Sequence, residues 1–116
     1  MISTVWRVKS EKFDAKEFVE RNELEPDTIF PGGFNLCFFD DSPKVNFIEN
    51  LYEAINEYED VFLELLERDI ESQLDIGVTV GTDDQYTCTI VLPLKIMEKL
   101  SHFNIEVSFS AYPASD

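Results

Sequence analysis

The chain has 116 residues, 44% of them hydrophobic, with ten Phe, four Tyr and one Trp, and a formal net charge of −15 at pH 7. That length and apolar content suit one domain with its own core and exclude a disordered chain, while the negative charge disfavours direct binding to nucleic acid or to an anionic membrane. Two cysteines and one histidine leave little material for a disulfide framework or a His-based metal site.

In chain order, Val5, Trp6 and Val8 predict a first strand over residues 2–9. Asp14 then stands as an N-cap, with Glu17 completing a capping box and Phe13 and Phe18 placed for a hydrophobic staple, so a short helix should run over 15–22 and stop before Pro26. Pro31-Gly32-Gly33 closes a turn-rich connection. The apolar run Phe34–Phe39 follows as a second, central strand, broken by Asp40-Asp41-Ser42-Pro43.

Asn46 is read as the N-cap of one long helix over 47–70, with Ile48, Leu51, Tyr52, Ile55, Tyr58, Phe62, Leu65 and Leu66 as its inner stripe. Leu74, Ile76, Val78 and Val80 alternate with Asp75, Gly77 and Thr79 as a one-faced strand. Gly81-Thr82-Asp83-Asp84 reads as a hairpin turn returning through an antiparallel strand over 85–92. Pro93 opens a last helix with Leu94, Met97 and Leu100 inward. Asn104 ends it, and Ile105, Val107, Phe109 and Ala111 alternate through a final strand.

The order β-α-β-α-β-β-α-β predicts an α+β fold: a two-layer sandwich with a mostly antiparallel sheet and helices on one face. A split βαβ, ferredoxin-like arrangement is its most economical version. No linker or low-complexity stretch divides the chain, so 1–116 is read as a single domain.

The charge is concentrated in the middle. Residues 45–94 hold twelve acids and one base, Arg68. Seven of those acids, Glu49, Glu53, Glu57, Asp60, Glu64, Glu67 and Glu71, fall within an arc of roughly 80° on a continuous helix, opposite the apolar stripe. The pairs 49–53, 53–57, 60–64 and 67–71 carry like charge at i, i+4, a local penalty of about 1–2 kcal/mol in all that a few lysines would remove. These seven residues are the candidate partner-binding set, since an acidic face steers a basic partner.

Catalytic templates find little to hold. His102 is the single histidine, near the end of the last helix, and no Cys-x-x-Cys, His-x-x-x-His, EF-hand or P-loop spacing occurs. Cys37 and Cys88 lie in apolar segments and read as buried thiols. No catalytic residue, metal ligand or cofactor is therefore assigned. No apolar run is long enough to span a membrane, and the N-terminus lacks a signal-peptide pattern, so a cytoplasmic protein is expected.

The stretch Asn22-Glu23-Leu24-Glu25-Pro26-Asp27-Thr28, the glycine pair after it, and the closing segment from Leu92-Pro93-Leu94 to Phe109-Ser110-Ala111-Tyr112 resemble the bacterial domain-of-unknown-function family 4279. In that family a short helix runs into a Leu-Glu-Pro-Thr-like turn and a Gly, a long helix follows, and a final helix leads into a strand ending near a Tyr. Here Asp27 intervenes between Pro26 and Thr28, and Ile29-Phe30-Pro31 replaces an aromatic-basic-Gly stretch. The resemblance implies a small α+β accessory protein of bacterial or phage origin, some members being plausible immunity proteins beside secreted toxins.

The leading expectation is a non-catalytic immunity protein that covers a basic surface on a cognate toxin, for instance a nuclease, whose cleft is basic to hold phosphates. The alternatives are a phage-type nucleic-acid mimic inhibiting a host nuclease, and a small-ligand-binding or enzymatic module whose pocket is lined by Trp6, Phe34, Phe38 and Tyr86.

Overall fold

A computed structural model of the chain describes residues 2–11, 13–80 and 89–113. The elements are β1 (Ile2–Lys9), α1 (Ala15–Arg21), β2 (Thr28–Phe30), β3 (Gly33–Ser42), α2 (Lys44–Glu57), α3 (Glu59–Glu67), β4 (Ser72–Val80), α4 (Leu94–His102) and β5 (Ile105–Pro113). The strands form one five-stranded sheet in the order β2-β3-β1-β4-β5. β1 is antiparallel to both β3 and β4, β2 is antiparallel to β3, and β4 and β5 are parallel.

Strand alternation decides which face is covered. Ile2, Thr4, Trp6 and Val8 of β1 are buried, whereas Ser3, Val5 and Arg7, which point to the other side, are half-exposed. The buried side meets Phe18 of α1, Phe47, Leu51 and Ile55 of α2, Phe62 and Leu65 of α3 and Ile96 and Leu100 of α4 in one core. Trp6 is its centre, with Phe34 and Phe62 edge-on at 5.2 and 4.9 Å. The opposite sheet face is polar. There Asp75 accepts from Arg7 at 3.2 Å and from the hydroxyls of Ser108 and Ser110 at 3.4 and 3.2 Å. This is the expected two-layer α+β sandwich, with a mostly antiparallel sheet.

The ferredoxin-like version does not hold. One split βαβ is present, since β3 and β4 are both antiparallel to β1, flank it and are joined through α2 and α3. The second unit that a ferredoxin-like arrangement requires is replaced by β4 and β5, direct parallel neighbours joined across α4. Of the expected hairpin, residues 81–88, which include its turn, lie outside the described residues, and Thr89–Leu92 form no strand. Along Ser72–Val78 β4 is flanked by β1 on one side and β5 on the other.

The start of the chain follows its local signals. Asp14 accepts from the Glu17 amide at 3.2 Å, and the rings of Phe13 and Phe18 meet edge-on at 5.5 Å. Gly32 takes φ of +85° in the turn before β3, and a Cβ there would lie 2.7 Å from the Ser10 carbonyl oxygen. The middle departs from them. The predicted single helix begins three residues early, at Lys44 after Pro43, so Asn46 is not its N-cap, and it is interrupted at Tyr58, where ψ is 14°. No Pro or Gly marks that point; instead the Tyr58 ring stacks on Phe38 at 5.3 Å with 7° between planes, a tertiary contact that holds the residue off helical geometry.

The inner face is correspondingly shifted. Leu51, Ile55, Phe62 and Leu65 are buried as expected, joined by Phe47, Ala54 and Val61, while Ile48, Tyr52, Tyr58 and Leu66 are only half-buried flanks. On α4 the inward residues are Ile96 and Leu100, not Leu94, which is 73% exposed, or Met97, which is 42% exposed.

Candidate docking face

Two helices present the acidic residues. On α2, Glu49, Glu53 and Glu57 stand at successive i, i+4 positions and all are exposed; on α3, Asp60 and Glu67, one heptad apart, are exposed too. Both helices turn their apolar side to the sheet, so these carboxylates are driven to the opposite side by burial of Leu51, Ile55, Phe62 and Leu65. Among the described residues the ion pairs are Arg7–Asp75, Arg21–Glu17, Arg21–Glu64 and Arg68–Glu64. None of them engages Glu49, Glu53, Glu57, Asp60 or Glu67.

The other two members of the set are placed differently. Glu64 receives both guanidinium nitrogens of Arg21, at 2.5 and 2.6 Å, and Arg68 approaches it at 3.4 Å. The Arg21 hydrogen bond holds its carboxyl below the usual carboxylate range, against the opposing effect of burial. Glu64 thus fastens α3 to α1 and is not free for a partner. Glu71 lies beyond the helix: Asp69 adopts the left-handed conformation at φ 57°, the Ile70 amide closes back on the Leu65 carbonyl at 2.9 Å, and Glu71 follows at the foot of the sheet, in the same depression as Glu106.

The fold adds two acids to the face that helical spacing alone does not place there. At the Tyr58 break a groove of about 500 Å³ opens between the end of α1 and β3, with Glu23, Glu25 and Glu57 on its walls and Tyr58 and Cys37 among them. Burial, then the charges of Glu57 and Glu25, push the Tyr58 phenol up. The sequence cue was the pair of acids in Glu23-Leu24-Glu25, but only the chain reversal after α1 brings them beside Glu57.

Two reactive side chains among the described residues are Cys37 and His102. The Cys37 thiol is pushed up, first by burial and then by Asp27 and Asp40, the opposite of the shift that makes a thiolate nucleophile. His102 is exposed in the last turn of α4, its ring 5.2 Å from Phe103. Among the described residues no three His, Cys, Asp or Glu side chains are grouped to hold a metal, and no helix is long and apolar enough to cross a membrane. Asp83, Asp84, Tyr86 and Cys88 lie outside the described residues.

The aromatics expected to line a pocket are mostly core. Trp6 and Phe34 are fully buried, and half-buried Phe38 lies beneath Tyr58. An apolar groove lies elsewhere, between α1 and the turn around β2, with Ala15, Val19, Pro26, Ile29 and Phe30 around about 640 Å³. Compared with protein-family models, with curated proteins and with solved structures, the chain matches none of them.

Proposed function

We propose that this chain is a non-catalytic acidic binding protein that docks the α2–α3 face on a basic partner, and that it acts as a cytoplasmic bacterial immunity protein covering the basic surface of a cognate toxin. The observation that carries this reading is the set of five exposed carboxylates, Glu49, Glu53, Glu57, Asp60 and Glu67, that no described cation neutralises although Arg21 and Arg68 lie on adjacent helical surface. Uncompensated like charge on a helix costs stability, so a face kept in this form is suited to pairing with positive charge supplied from outside. The resemblance to domain-of-unknown-function family 4279 belongs to the same proposal and supplies its bacterial setting.

The test is affinity capture from the native host, with the product of the adjacent gene assayed first, followed by charge reversal. Glu53→Lys, Glu57→Lys and Asp60→Lys together should weaken partner binding by at least about tenfold at low salt and flatten its salt dependence. Glu64 is left intact because its loss would also disturb Arg21. Unchanged affinity and unchanged salt dependence in the triple variant would remove the acidic face from the binding site. Competition with DNA for the captured partner would instead favour nucleic-acid mimicry.

A further inference from the structure

β5 is an edge strand of nine residues, and its register with β4 runs without a bulge from Ser72 opposite Ile105 to Val80 opposite Pro113. Among the described residues no strand lies on its outer side. Edge strands normally carry devices against pairing: short length, bulges, lysines, prolines within the strand or inward-pointing charge. The opposite edge has them: β2 is only three residues long and stands between Pro26 and Pro31, and past Asn35 the outer side of β3 carries Asp40 and Asp41 beside a register irregularity against β1. β5 has a single charged residue, Glu106, no lysine, and a proline only at its last position.

The apolar surface beside it is exposed as well. Phe109 is 55% and Tyr112 52% exposed, and Phe109, Met97, Leu92 and Val107 share a shallow depression of about 450 Å³ along the strand. Charge then selects the occupant. Residues 95–116, which contain β5, carry three acids and two bases, against twelve acids and one base in residues 45–94. A basic partner is drawn to α2 and α3, not to this edge. For a second copy carrying −15, this edge, with Glu71 and Glu106 as the acids of its depression, opposes approach less than the α2–α3 face with its five exposed carboxylates.

We infer that β5 is the dimerisation edge of this protein and pairs antiparallel with β5 of a second copy about a two-fold axis at Phe109, joining two five-stranded sheets into one. The register follows from side-chain complementarity. It brings the two Phe109 rings together on the helix-covered face, sets Ser108 opposite Ser110 of the partner subunit, and sets Glu106 opposite Tyr112 of the partner subunit, where a phenol can donate to the carboxylate. The two Glu106 carboxylates then stand six positions apart along the strands, about 20 Å, beyond the reach of repulsion at physiological salt. This surface is separate from the acidic face, so each can fail without the other.

Sedimentation equilibrium tests the inference. The intact chain should show twice its 13.4 kDa monomer mass at high micromolar concentration, and Phe109→Lys should halve it with an unchanged far-UV spectrum. Ser110→Lys, which changes the open face of the sheet and touches no core, should halve it too, and decides the matter if Phe109→Lys fails to fold. Glu53→Lys should leave the dimer intact. A wild-type monomer at high micromolar concentration, or a dimer that survives Ser110→Lys, would overturn the assignment.

Discussion

At Glu64 two guanidinium groups converge, and the geometry there makes a pH-dependent contribution to stability. The Arg21 hydrogen bond lowers the Glu64 pKa, so its stabilising effect is complete above the unfolded-state value of about 4.3 and is lost as pH falls through the lower folded value. Arg21 is shifted further upward by Glu64 and Glu17, stays charged in both states across that range, and adds no pH dependence of its own there. Glu64→Gln should therefore lower the urea midpoint at neutral pH, and the gap to wild type should close as the pH drops below about 4. A gap that is the same at pH 7 and at pH 3 would mean that the ion pair contributes nothing. The carboxylate spacing alone could not separate Glu64 from Glu57 or Glu67, because its partner Arg21 lies 43 residues away on a different helix.

At the scale of elements, α4 shows how an amphipathic pattern can be read on the wrong side. Leu94, Met97 and Leu100 share one helical face, but Ile96, Leu100 and the capping Phe103 share another, and Leu100 belongs to both. The second is the inner one because Ile96, Leu100 and Phe103 are the side chains buried in the common core; Lys99 beside them donates to Asn56 at 3.0 Å and lies 5.2 Å from the Tyr52 ring of α2. Leu100→Ala should accordingly cost about 2–5 kcal/mol, whereas Leu94→Lys should stay within about 0.5 kcal/mol of wild type in denaturant titrations. Equal costs would return Leu94 to the core. The short helix α1 needed no such shift: its cap and staple are local contacts within a few residues and the structure shows both, while the Glu17 carboxylate, expected to complete a capping box, accepts from Arg21 at 2.7 Å.

For the molecule as a whole, the segregation of charge has a measurable consequence. The like-charge i, i+4 pairs that persist on one helix are 49–53 and 53–57, since Glu64 is neutralised and Glu71 has left the helix. They amount to about 0.4–1 kcal/mol of local repulsion. Shortening the Debye length from about 30 Å at 0.01 M salt to about 3 Å at 1 M should recover that stabilisation and raise the unfolding midpoint. Sodium chloride is the salt to use, because sulfate would also strengthen burial. A midpoint that falls with salt would show instead that the few ion pairs outweigh the repulsion.

Local chemistry was enough to place β1, α1, the start of the strand after the glycine pair, though not its continuation through Asp40, Asp41 and Ser42, the alternating β4, the Asn104 helix stop and the concentration of acid in the middle of the chain, and with them the α+β class. These features depend on period, capping and turn residues whose partners lie close in sequence. Tertiary structure decided the rest: the break at Tyr58, set by a ring stacked on Phe38; the capture of Glu64 by Arg21; and the convergence of Glu23 and Glu25 on Glu57. It also decided the strand order. Alternation in β5 shows that one face is apolar, but only its pairing with β4 makes it parallel and leaves it at the rim. Pairing between distant strands is a competition for hydrogen-bonding edges, and no single segment of sequence records which competitor wins.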